Sequence, residues 1–96
     1  MTALREWRDL VTQVESGYEF GVDDYLNDLS NRQILQRALD MEGQEWPAGR
    51  KEKLEDLDAR FLRATEPWPE AEGWSKNAWW IRKPIKWLAT EEERVF

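Results

Sequence analysis

Leu4, Trp7, Leu10, Val11 and Val14 recur at three- and four-residue spacing, which gathers them on one face of a helix. The same period returns further along, up to about residue 65. A chain patterned in this way must pack helices against one another by their apolar stripes. Ser16-Gly17 ends the first helix, with Gly17 suited to a left-handed position just past its end. Tyr18 and Phe20 frame a turn that Gly21 closes.

A second helix is expected over VDDYLNDL, with Val22, Leu26 and Leu29 on one face. Asp23 and Asp24 fall in its first turn, where carboxylates suit the helix dipole. Ser30 followed by Gln33 has the form of a capping box, and Leu29 could staple onto Ile34. The third helix is therefore expected from about Asn31 to Met41, with Gly43 as its stop and Ile34, Leu35, Ala38 and Leu39 as its buried stripe. On that reading Ser30→Ala should cost about 1 kcal/mol.

EGQEWPAGR reads as a loop. A fourth helix should run from Pro47 or Arg50 to Thr65, burying Leu54, Leu57, Phe61 and Ala64 with Leu62 beside them. Asp56 and Arg60 form an i,i+4 pair on its polar side. Pro67 and Pro69 in EPWPE stop it.

Beyond Trp68 neither period fits well, and the run NAWWIRKPIKW at 77–87 is irregular or extended, with a short helix possible around Ile85 to Glu93. The chain holds seven tryptophans, four of them at 74, 79, 80 and 87. Each buried aromatic removes about 150–250 Å² from water, so this arm can complete a core that is short of aliphatic mass. Consecutive residues of an extended segment point to opposite sides. One of Trp79 and Trp80 should then be buried, with Ile81 and Ile85 helping to close the helical groove. Arg82 and Lys83 should pair with acids on the second and fourth helices. The expected fold is all-α: a compact bundle of three to four short helices with an irregular aromatic C-terminal arm packed across it. It forms a single domain over residues 1–96, with a helical body at about 3–65 and an arm at 66–96.

Composition removes several chemistries. Hydrophobic residues make up 41% and charged residues 35%, the balance of a globular chain rather than a disordered one. Without cysteine there is no disulfide frame, thiolate metal site or thiol nucleophile. Without histidine the usual general base and the commonest metal ligand are missing. No apolar run suggests a membrane span or signal core, so a cytoplasmic protein is expected. DDYLND does not match a calcium loop, because the positions needing a ligand, a glycine and a glutamate hold leucines. No phosphate loop or nucleophile elbow is present, so no enzymatic activity, cofactor or metal is expected.

Charge is uneven. The net charge is −6, yet residues 74–88 hold four cations and no acid. Aromatics interleaved with cations suit single-stranded nucleic acid, which stacks on tryptophan and pairs with Lys and Arg. A charge of +4 set within −10 argues against that partner, and anionic membranes meet the same objection. Twenty acids will always offer some carboxylate pair, so spacing alone says little for an acid–base enzyme.

In size and acidity the chain resembles small bacterial inhibitor, immunity and antitoxin proteins, which implies an inhibitor-, antitoxin- or adaptor-like role. The leading expectation is a non-enzymatic module that binds another protein or itself as a homodimer. Its candidate surface comprises Trp74, Trp79, Trp80, Arg82, Lys83, Lys86 and Trp87 on the arm, with Asp23, Asp24 and Asp28 as an acidic patch.

Overall fold

The computed structural model describes residues 2–41, 46–71 and 78–94. Among these, helix α1 spans Thr2–Ser16, α2 Val22–Asp40 and α3 Arg50–Ala64. Strand β1 (Thr65–Glu66) pairs antiparallel with β2 (Lys83–Pro84), Thr65 opposite Pro84 and Glu66 opposite Lys83. The fold is thus compact and mostly helical, with three helices among the described residues, the lower number expected, and a small two-stranded sheet that was not expected.

Helix α1 follows its pattern. Trp7, Val11 and Val14 are essentially inaccessible, with Leu4 and Leu10 beside them. Gly17 ends the helix with φ +128° and gives its N–H to the Gln13 carbonyl at 2.7 Å. A side chain there would be strained, and its Cβ would lie 2.8 Å from Leu88 Cδ1.

The expected break at Ser30 does not exist, because α2 runs straight through it. The Ser30 hydroxyl bonds back to the Asn27 carbonyl and caps nothing. The buried face of α2 is Tyr25, Leu29, Arg32 and Leu35, one continuous helical stripe across the proposed boundary. Arg32 is the residue that continues it, and hydropathy alone places an arginine outside. Ile34 is consequently exposed, while Ala38 and Leu39 are half-buried. The helix ends at Asp40, with Met41 extended; the expected stop at Gly43 lies outside the described residues.

Gly49, at φ +83°, leads the chain into α3, and its carbonyl accepts the Lys53 N–H at 3.1 Å. Leu54, Leu57 and Phe61 are buried as expected, Ala64 is half-buried and Leu62 is exposed. Arg60 keeps a favourable charge interaction with Asp56 but makes its hydrogen-bonded ion pair elsewhere. It reaches α1 and grips both carboxylate oxygens of Glu15, at 3.0 and 2.6 Å. No helix forms at 85–93, where only a 3-10 turn at Glu92–Arg94 appears, and Ile85 is exposed rather than part of the groove closure.

Both α2 and α3 pack on α1. The aromatic segments after α3 complete the core around them. Tyr25 is the hub, its ring centre 5.0 Å from Tyr18, 5.8 Å from Trp68 and 5.5 Å from Trp87. Trp7 and Phe61 meet at 4.8 Å on the α1–α3 side. Such contacts contribute about 0.5–1.5 kcal/mol each beyond area burial. The last segment is tied to the turn after α1: Tyr18 N–H donates to Lys86 O and Leu88 N–H donates to Tyr18 O.

Candidate interaction surfaces

Trp79 and Trp80 sit in a tight turn, where the Arg82 N–H reaches the Trp80 carbonyl at 2.8 Å. Their rings stand at 87° with centres 5.7 Å apart. Trp80 is 2% exposed and Trp79 is 40% exposed, so one faces in and the other out as expected. The Arg32 guanidinium lies 5.2 Å from the Trp79 ring centre and 5.3 Å from that of Trp80, a cation shared by two π faces. The same guanidinium donates through Nε and Nη2 to the two oxygens of Asp58, at 2.9 and 2.8 Å. Asp58 Oδ1 also accepts the Trp7 indole N–H at 3.0 Å, and Gln36 Oε1 accepts from Arg32 Nη1 at 3.2 Å. Trp79 is therefore an exposed ring on a rigid mount, backed edge-on by Phe61 at 6.2 Å.

The described arm cations, Arg82, Lys83 and Lys86, are engaged with the protein itself, and Arg82 and Lys83 not as expected. Arg82 donates to the Thr65 hydroxyl at 2.9 Å and to the Thr65 carbonyl at 3.0 Å, and its own carbonyl accepts the Tyr25 hydroxyl. Lys83 meets Glu66 of β1 at 3.7 Å, not an acid on a helix. Lys86 Nζ donates to the Glu15 carbonyl at 3.3 Å, and the half-buried Trp87 donates its indole N–H to the Phe20 carbonyl at 2.8 Å. The reason is geometric: a strand end and turns leave carbonyls that a long cation can satisfy more closely than a distant acid. Trp74 lies outside the described residues.

The acidic trio divides. Asp23 and Asp24 are exposed in the first turn of α2, whereas the half-buried Asp28 accepts the Tyr18 hydroxyl at 2.5 Å. Burial, reinforced by the Asp28 hydrogen bond, pushes the Tyr18 phenol well above its ordinary range. Among the described residues no cluster of three or more His, Cys, Asp or Glu could hold a metal ion. Nor is any described helix long and apolar enough to cross a membrane.

One surface escaped the sequence reading. A groove of about 560 Å³ runs between α1 and α3 over a floor of Leu4 and Leu57. Arg5 and Arg8 of α1 line it, together with Arg50, Lys53 and Arg60 of α3, against only two acids, Glu52 and Asp56. The Arg60–Glu15 bridge, whose hydrogen bonds hold Glu15 below the usual carboxylate range, borders a separate, smaller cavity lined by Arg63 and Lys86. Among the described residues Arg5, Arg50 and Lys53 take part in no ion pair. Arg50 and Lys53 also sit at the N-terminal end of α3, where a cation opposes the helix dipole by about 0.3–1 kcal/mol. The signal in the sequence was two i,i+3 cation pairs, at 5 and 8 and at 50 and 53. Only the packing of α1 beside α3 makes one site of them.

No protein-family model, curated protein or solved structure matches the chain.

Proposed function

We propose that this protein is a small acidic, non-enzymatic interaction module of the cytoplasm that binds another protein through a surface centred on Trp79. The observation carrying this reading is the mount of that side chain: 40% exposed, yet held by Phe61, Trp80 and the Arg32 guanidinium. A large aromatic already fixed in place loses little freedom on binding, so it returns most of its contact area as affinity. Tryptophan and arginine are also the residue types that dominate interface energetics.

The alternatives draw less support. Stacking of single-stranded nucleic acid needs several free ring faces, but Trp80 is in the core and Trp87 is half-buried against Tyr25 and Trp68. A carboxylate enzyme needs two acids converging on a substrate. The half-buried Asp28 and Asp58 are instead already held by Tyr18 and by Arg32 with Trp7.

The test is a comparison of tagged wild type with Trp79→Ala in native extract. A stoichiometric partner retained by the wild type and lost from a still-helical variant would support the reading. A partner held equally by both, or a wild type that retains nothing, would overturn it.

A further inference from the structure

The α1/α3 groove carries net +3 from five cations and two acids, on a chain of net −6. The surface complementary to it is found on the same molecule. The segment after β2 lies against the turn between α1 and α2, as the Leu88 N–H to Tyr18 carbonyl bond and the close approach of Gly21 to the Glu93 backbone show. This brings the exposed Glu91, Glu92 and Glu93, with one exposed cation, Arg94, to the corner where Asp23 and Asp24 begin α2. Two apolar side chains stand exposed in that corner, Phe20 at 51% and Leu88 at 63%. The groove thus offers cations around a leucine floor, and the corner offers acids around exposed apolar residues.

We infer that the groove is a docking site for the acidic corner of a second copy of this chain. The inference rests on the reading of the protein as an interaction module, and adds a self-association face separate from Trp79. The groove lies along the N-terminal half of α1 and the corner beyond its C-terminal end, roughly 20 Å away at 1.5 Å per residue. Two copies related by a two-fold axis, with their α1 helices antiparallel, place each corner on the other's groove. Both contacts form at once, and Phe20 and Leu88 leave water. Approaches that leave the groove unpaired bring acidic surfaces of −6 molecules together, so electrostatics favours one that engages it. A nucleic acid is a poorer occupant, because a polyanion extending past the groove meets the acidic remainder of the surface.

The experiment uses the full chain in sedimentation equilibrium, with helical circular dichroism as the check on folding. Wild type at low salt should show twice the 11.5 kDa chain mass, and physiological salt should weaken the dimer on the order of tenfold or more. A groove-reversed variant, Arg5→Glu with Lys53→Glu, should be monomeric. So should a corner-reversed variant, Glu91→Lys with Glu92→Lys. Mixing the two should restore the dimer, because each reversed groove then faces a reversed corner. A monomeric wild type, a dimer indifferent to salt or to both reversals, or a mixture that stays monomeric would each overturn the inference. So would wild type that remains monomeric while its groove takes an acidic peptide or an oligonucleotide. None of these results would touch partner binding through Trp79, which the Trp79→Ala comparison reads separately.

Discussion

Arg32 and Asp58 form a two-pronged ion pair between α2 and α3, with the arginine side chain 3% exposed and the aspartate 19% exposed. Two tryptophan rings cover the guanidinium, and the Trp7 indole shares the carboxylate. The Arg32, Asp58, Trp7 and Gln36 side chains are hydrogen-bonded to one another, so these members depend on one another.

Removing one member should therefore be worse than removing two. Asp58→Leu strands a buried guanidinium and the Trp7 N–H, and should cost about 3–5 kcal/mol. Adding Arg32→Met to that variant should recover part of the loss, because the uncompensated charge is gone. Thermal melts of the wild type, the single and the double variant give the comparison. A double variant less stable than Asp58→Leu would refute the account.

The two adjacent tryptophans should separate in stability. Trp80→Ala opens a cavity in the core and should cost about 3–5 kcal/mol. Trp79→Ala removes a half-solvated ring and should cost about 1–2 kcal/mol. Urea midpoints at unchanged m-value measure both, and equal losses would mean that Trp79 is as much core as its neighbour.

Ser30→Ala tests the continuity of α2. A residue inside a helix whose hydroxyl only bonds back to the preceding turn contributes little. The substitution should change stability by no more than about 0.5 kcal/mol, or raise it, since alanine is the better helix former. A loss of about 1 kcal/mol would restore Ser30 as a cap.

Alkali should unfold the protein through its two tyrosines. Burial raises both phenols above the ordinary value of 10.0, with the Asp28 hydrogen bond adding to the effect at Tyr18. Above that pH the unfolded chain releases protons that the folded chain keeps. The stabilisation is therefore complete below 10.0 and lost as pH rises beyond it. Since the chain has only Tyr18 and Tyr25, tyrosinate absorbance reports these two alone. It should appear together with the loss of helical circular dichroism. A tyrosine ionising near its free value in a still-helical protein would contradict the burial.

Much of the fold was legible because it rests on local rules. The stripe of α1 and that of α3 came from periodicity, and the end of α1 from Gly17. The stop after α3 came from Pro67 and Pro69. The division of Trp79 from Trp80 was expected from the alternation of an extended segment; it holds, although the pair sits in a turn. The acids at the start of α2 were read as a solvated first turn, and Asp23 and Asp24 are that.

What the sequence by itself determined is where helices form and which apolar residues they bury, because those depend on neighbours three and four residues away. Tertiary structure alone decided the fate of the charges. Arg32 is inside because Asp58, 26 positions on, supplies its counter-charge, and hydropathy could not see that partner. Arg60 gives its hydrogen bonds to Glu15, 45 positions away, rather than to Asp56, and Arg82 turns to Thr65. Arg82 and Lys86 of the cationic arm that stood out in the sequence are spent on the protein's own carbonyls, and Lys83 on Glu66. Among the described residues, Arg5 of α1 and Arg50 and Lys53 of α3 are left without an ion pair and gathered in one groove, because long side chains answer to whatever charge or carbonyl packing brings within a few ångströms.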